Sequence, residues 1–465
     1  MASSRPYRDP ESQRWAWGCA LPHGAETVER AFCEVERSVP LGEAGRRVEA
    51  ALAALGLRAE LADAGGGRDP TAWWCELLGG AGEVSPVACG MGKGHPEEAR
   101  VGALFEAVEH FLTGPAGFDP IGMEPAAPAE IAAGPLREDV CALLLARMPG
   151  RRMACLRYRA LGGGAEALVP LFLFAPWYVE TGAARLRRLA GDDCDYAHLT
   201  RYSCNSGSAV GVTAAEALLH ALNEAIERDA LSLLLARAFL GAGGLRLRLI
   251  DPDTLLNGLA RAYATAGELI GSPVHLLDIT SDVGVPTMLA YTSPTALHPH
   301  RRGAGTSLSP AYAAWRALTE LIQTTLGERL SSAPTQSDLA GLAGHPDLHA
   351  CGRFDLTGLL REARVVPFPQ VAEVVATPGG QVQKVAAMLA ARGYPAYHRT
   401  VCVLPGGVTA VHVIVPALER FMLVTNGNLV IPGRRGQAAA TGRAGVFLAP
   451  EEVSESMPID LRSHQ

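Results

Sequence analysis

The sequence predicts a protein of mixed helix and strand, arranged around three related helices. One pattern, A-x-x-x-A-L-x-E-x-[VI]-[EQ], occurs three times, at Ala99–Glu109, Ala217–Glu227 and Ala313–Gln323. Each copy follows a flexible loop rich in Gly or small residues: Gly92–Pro96, Ser206–Thr213 and Gly303–Pro310. Short β-like runs, Val274–Leu277 and Thr287–Tyr291, precede the third copy. Within each copy, Ala at i and i+4 joins Leu and Val or Ile in a single apolar stripe. The acidic or amide residues, three apart, share another face of the same helix.

The remaining elements follow in order. Residues 1–22 read as an irregular extension. Glu26–Leu55 has helical periodicity in two pieces, broken around Pro40. Leu57–Leu61 and Glu83–Cys89 read as strands, and the first repeat helix runs from about Pro96 to Leu112. A Pro- and Ala-rich connection covers Gly114–Pro135. Leu168–Val179 is an apolar strand pair, or a strand entering a loop, and Ala184–Leu189 is a short basic helix. Thr213 followed by Glu216 has the spacing of a capping box and starts the second repeat helix. Ser309-Pro310 starts the third, with an N-cap residue and Pro at the first helical position. Gln381–Arg392 is helical and stops at Gly393. Ala396–Val403 and Val408–Val415 are strands joined by Leu404–Gly407, and the tail from Pro450 is polar.

Composition narrows the function classes. The 465 residues are 48% hydrophobic and 19% charged, as in an ordinary globular protein. A net charge of −7 argues against a nucleic-acid partner, which needs a basic face. None of the ten cysteines forms a C-x-x-C pair, so neither a structural zinc site nor a disulfide framework is expected. Reduced thiols, no apolar N-terminal segment and no run long enough for a bilayer describe a soluble cytoplasmic protein without a membrane partner.

The repeats carry the chemistry. Converging helices would bring Glu106, Glu109, Glu224, Glu227 and Glu320 together with Gln323. One close carboxylate pair costs up to about 4 kcal/mol at an effective dielectric near 20. Several such pairs would consume a net stability of about 5–15 kcal/mol. The cluster therefore calls for cations, and hard carboxylate oxygens favour Mg²⁺, which commonly bridges to phosphates. Helix N-termini with glycine-rich approaches offer N–H groups to those phosphates, and Lys93 and Arg228 add neutralising charge. No P-loop, G-x-S-x-G elbow or complete dinucleotide fingerprint is present. His298-Pro-His300 lacks a third metal ligand nearby.

Taken together, Gly92–Ala99 with Ala103–Glu109, Asn205–Gly211 with Glu224–Asp229, and Arg316–Gln323 resemble the YcaO family, as does Val413–Phe421. The similarity spans roughly residues 25–435. The resemblance implies an α+β ATP-binding fold, with mixed sheets and three acidic helices converging on the nucleotide site. It divides the chain into an extension (1–22), a catalytic domain (23–445) and a polar tail (446–465). By position, Glu106, Glu109, Glu224, Glu227 and Glu320 are implied Mg²⁺ ligands or their supports. Lys93, Ser206, Arg228 and Gln323 are implied ATP contacts; no catalytic side chain is assigned. ATP and Mg²⁺ are the implied cofactors. The implied activity is phosphorylation of a peptide amide oxygen, leading to an azoline in a ribosomally made precursor peptide. Thioamide or amidine formation, or a silent ATP-binding scaffold, are the alternatives. No leader-binding winged helix is recognised, so a leader-binding or sulfur-delivery partner is expected, and a homo-oligomer is left open. The chain departs from the family pattern at Gly102 (usually Ser), at His110 (usually Arg), in the Thr324-Thr325 pair after Gln323, where an Arg is common, and in a C-terminus without a Pro-rich tail.

Overall fold

The computed structural model describes residues 36–80, 85–241, 243–295, 301–330, 339–369 and 377–441. The expected extension, residues 26–35 of the first helical piece, His298-Pro-His300 and the polar tail lie outside them, and residues 36–39 of that piece form no helix. The three repeats are long helices: α1 (Pro96–Thr113), α2 (Ala214–Leu235) and α3 (Pro310–Leu330). Their shared Ala, Ala, Leu and Val/Ile positions are all 0–1% exposed. The stripe read from sequence is therefore the buried face of each helix.

Three sheets receive these faces. The first is antiparallel, β1 (Arg58–Asp63), β2 (Thr71–Leu78) and β3 (Ala88–Gly94), and lies under α1. The second has the order β4 (Glu124–Ala126), β5 (Met153–Ala160), β13 (Tyr397–Val403), β14 (Thr409–Ile414), β7 (Ser208–Gly211). β6 (Glu166–Pro170) pairs with β5, and α2 packs on β14 and β7. The third runs β11 (Arg302–Thr306), β10 (Thr287–Thr292), β9 (Val274–Asp278), β8 (Arg248–Ile250), β12 (Arg364–Val366). It is antiparallel except for β8–β12 and carries α3. These are the mixed sheets and helices of an α+β protein.

The small-residue approaches are strands rather than flexible loops. β3 ends at Gly94, β7 at Gly211 and β11 at Thr306, each a few residues before its helix. Their glycines lie against helix backbone. A Cβ on Gly92 would stand 1.9 Å from the Ala99 carbonyl oxygen, and one on Gly90 2.3 Å from the Ala107 nitrogen. On β11, the same construction puts Gly303 2.3 Å from the Ala317 oxygen and Gly305 2.2 Å from the Ala313 oxygen. Glycines two apart share one strand face, and alanines four apart share one helix face, so the two backbones touch. The glycines thus serve close strand–helix packing.

Boundaries differ where this packing intervenes. The strand expected at Glu83–Cys89 begins at Ala88 and continues through the glycines, and β2 was not expected at all. Pro40 precedes a helix at Leu41–Ala54. The apolar Leu168–Val179 run is the end of β6 followed by two tight turns. The Thr213 cap forms, its hydroxyl accepting from Glu216 N at 3.2 Å. The Glu216 carboxylate, however, accepts from Ser38 N at 3.3 Å, so the reciprocal half of the expected box goes elsewhere. Among the described residues no helix is long and apolar enough to cross a membrane.

Candidate functional site

The polar faces of α1, α2 and α3 close on one cavity of about 530 Å³. Four successive positions of each helix line it, in equivalent register. The first position, just before the repeat's leading Ala, gives Glu98, Glu216 and Tyr312. One turn on come Gly102, His220 and Arg316. The next turn gives Glu106, Glu224 and Glu320, and the last Glu109, Glu227 and Gln323. Steps of four, four and three residues hold a single helical face. The five predicted carboxylates, with Lys93, Arg228 and Gln323, are thus brought together. Ser206 is not among them. It lines an adjoining cavity of about 360 Å³ that shares Asn205, Arg228, Glu320 and Thr324 with the first.

Charge in the first cavity is unbalanced. Eight carboxylates line it against four Lys or Arg side chains. Lys93 bonds Glu320, whose other oxygen accepts from Ala304 N at 3.3 Å. Lys93 and Arg228 hold Glu320 below the usual carboxylate range although burial opposes them. Arg228 reaches Glu224 at 3.3 Å and Glu227 at 4.0 Å, and Gly207 N donates to Glu224 at 3.1 Å. Glu109 is the opposite case. Burial, followed by repulsion from Glu224 and Glu106, pushes its carboxyl well above the usual range. Burial also raises Glu106 and Glu227, the latter against Glu320.

Several charged or polar side chains joined the site without being predicted, among them Glu36, Arg37, Glu98, Glu216, His220 and Arg316. Arg316 donates to Nδ1 of His220 at 3.1 Å. Burial and that guanidinium hold the imidazole neutral, far below its ordinary range. Both stand four residues before a predicted carboxylate, and so does Gly102. The repeat register was the signal that could have found them. The cavity-lining His110 sits where the family pattern has Arg, and its Nδ1 donates to Cys89 O at 2.6 Å. A Cβ on Gly102 would meet only Gly92 Cα at 3.5 Å, so the site has room for the Ser of the family pattern.

The residues fit a magnesium nucleotide in kind. Glu227 Oε2, Arg228 Nε and Arg316 Nε are buried without a hydrogen-bond partner, and such atoms are costly unless something binds them. The excess of carboxylates calls for divalent cations, and the basic groups call for anions such as phosphates. The carboxylates do not share a point: among the described residues, no three His, Cys, Asp or Glu side chains are grouped to hold an ion. Lys93 and Arg228 take oxygens that a metal would need. The first turns of the helices reach the cavity through Glu98, Glu216 and Tyr312, but the predicted carboxylates stand deeper, Glu106 about 15 Å along α1 from its start. The N-termini of α1 and α2 are capped by His95–Glu98 and Thr213.

Comparison with known proteins defines the class of fold. A YcaO from Methanopyrus kandleri bound with AMPPCP and Mg²⁺ superposes with a TM-score of 0.59 at 18% identity, over 83% of this chain and 94% of that one. A heterocyclase in complex with substrate and cofactor gives 0.59 at 17%, over 83% and 54%. An Escherichia coli microcin synthetase McbBCD complex gives 0.52 at 12%, over 77% and 88%. An uncharacterized protein of Methanothermobacter thermautotrophicus is 37% identical over 128 residues, 26% of this chain and 31% of that relative. The match thus spans about a third of that relative's length. The YcaO profile, described as YcaO cyclodehydratase, ATP- and Mg²⁺-binding, matches residues 91–419. The chain belongs to the YcaO family, and ATP and Mg²⁺ are its cofactors.

Proposed function

We propose that this protein uses MgATP to phosphorylate a peptide backbone amide and closes an azoline ring in a ribosomally made precursor peptide. The observation that carries this reading is the convergence of four register positions from each of three helices on one cavity. In the reaction, a Cys thiol or Ser/Thr hydroxyl of the substrate adds to the preceding amide carbon and loses its proton. The amide oxygen then takes the γ-phosphoryl group, and ADP leaves. Loss of that oxygen as phosphate, together with the proton of the amide nitrogen, leaves the C=N bond of the ring. Phosphoryl transfer needs mainly positioning and neutralisation of charge.

Glu106, Glu109, Glu224, Glu227 and Glu320 would hold the metal, which supplies neutralisation of the phosphates. Lys93 and Arg228 would exchange a carboxylate for a phosphate oxygen, and Arg316 would present its unpartnered Nε. Gln323 donates one amide N–H to Met91 O and would offer its carbonyl oxygen and second N–H to the nucleotide. Ser206 would meet the nucleotide from the adjoining cavity.

The catalytic unit is residues 23–445, flanked by 1–22 and 446–465. A partner protein would bind the leader of the precursor or, for thioamide or amidine formation, deliver the nucleophile. The eight described cysteines are all free, as in a reducing cytoplasm. The test is incubation with MgATP, a Cys-containing precursor and its partner. ADP release matched by loss of one water from the peptide is the expected result. MgATP binding without peptide-dependent ADP release would establish the scaffold alternative instead.

A further inference from the structure

The adjoining cavity has a feature that nucleotide binding leaves unexplained. Arg302 is partly buried on β11 and lines this cavity but not the first. Among the described residues its side chain has no hydrogen-bond or ion-pair partner. Its guanidinium lies over the Phe354 ring, 4.7 Å from the centroid. Phe354, 2% exposed, has φ of 49° and is the one non-glycine residue with positive φ among those described. A bulky residue rarely takes that conformation, and such strain gathers at binding sites. Here it seats the ring beneath the cation.

Two guanidinium groups, Arg228 and Arg302, line this cavity against one carboxylate, Glu320, whose oxygens Lys93 and Ala304 N already hold, so Arg302 needs a further anion. Its planar fork suits a carboxylate bidentately. Lys93, Arg228 and Arg316 already serve the nucleotide side. At about 360 Å³ the cavity is at the small end of ligand pockets, enough for a short stretch of peptide. We propose that this cavity is the acceptor chamber, and that Arg302, seated on Phe354, selects a peptide carrying a carboxylate beside the reacting amide. The proposal rests on the reading of the first cavity as the nucleotide site.

The test is binding rather than turnover, so it stands apart from the proposed reaction. N-acetylglycine and N-acetylglycinamide are compared by saturation-transfer NMR on the full chain and on Arg302→Met and Arg302→Lys. MgATP affinity is titrated in parallel. The expected result is binding of the acid but not the amide. The acid should bind at least tenfold more weakly to Arg302→Met and fall in between for Arg302→Lys, with MgATP affinity within twofold throughout. Equal treatment of acid and amide by the wild type overturns the proposal, even if a variant fails to fold. So does acid binding that survives in Arg302→Met. A tenfold loss of MgATP affinity in that variant would overturn it too, by moving Arg302 to the nucleotide.

Discussion

Helices α1 and α3 share one buried stripe and differ on the face that lines the cavity. Ala99, Ala103, Leu104 and Val108 of α1 match Ala313, Ala317, Leu318 and Ile322 of α3, all 0–1% exposed. On the lining face, α1 carries Glu98, Gly102, Glu106 and Glu109, whereas α3 carries Tyr312, Arg316, Glu320 and Gln323. The first set presents three carboxylates, and the second balances one carboxylate with one guanidinium. Packing against a glycine-bearing strand fixes the stripe, because a Cβ on Gly92 or Gly303 would enter the helix backbone. Nothing in that packing constrains the lining face, which is free to diversify. The acidic wall of α1 and the charge-balanced wall of α3 are variants of one structural unit.

The shared half of the comparison breaks most severely. Gly92→Val would drive a branched side chain into Ala99 and Ala103. Overpacking of this kind costs about 1–3 kcal/mol when side chains can yield, and backbone yields less. The expected outcome is an insoluble chain, or a melting transition lowered by about 3 °C or more. A melting temperature near the wild type would disprove the backbone contact.

Removing the divergent cation tests the other half. Arg316→Leu leaves α3 with a carboxylate and no guanidinium, and the affinity for MgATP should fall about tenfold or more, about 1.4 kcal/mol. Calorimetry checks this, and an unchanged affinity would leave Arg316 with a structural role only.

The acidic wall has a pH signature. Glu109 and Glu227 have folded-state pKa values raised above 4.5, so the folded chain holds their protons more tightly than the unfolded chain does. Their contribution is present below pH 4.5 and is lost as pH rises through their folded values. Glu419, pushed up to about 7 by burial, acts in the same direction. The lowered Glu320 acts oppositely, losing its contribution as pH falls below 4.5. Metal-free protein should therefore melt at lower temperature as pH rises from 4.5 to about 7, and Glu109→Gln should flatten that fall. A slope identical in wild type and variant would show Glu109 to be unstrained.

The smallest effect is expected at Gly102. Its added Cβ has ordinary contact space, so Gly102→Ser should change stability by no more than about 0.5 kcal/mol. A large loss in denaturant titration would mean that the first helix sits closer to β3 than described.

The same comparison explains what could be read from the sequence. The stripe and the predicted carboxylates were legible because helical period is written in local spacing. Arg316 and His220 obey that spacing too, but their residue types do not match across copies, so the pattern of identities passed over them. The glycine stretches read as loops because glycine usually loosens a strand; here a partner helix that starts four to seven residues further on requires it. The adjoining cavity was not legible. Arg302, Phe354 and Asn205 come from distant segments, and only the folded chain brings them together.

The most direct test of the three-helix site is a calorimetric titration of ATP, with and without Mg²⁺, on the wild type and on Glu224→Ala. Glu224, on α2, lies between Arg228 and the Gly207 amide. The account predicts Mg²⁺-dependent binding in the wild type and at least a hundredfold loss in the variant, about 2.7 kcal/mol. Equal affinity in both proteins, or binding indifferent to Mg²⁺, would contradict it.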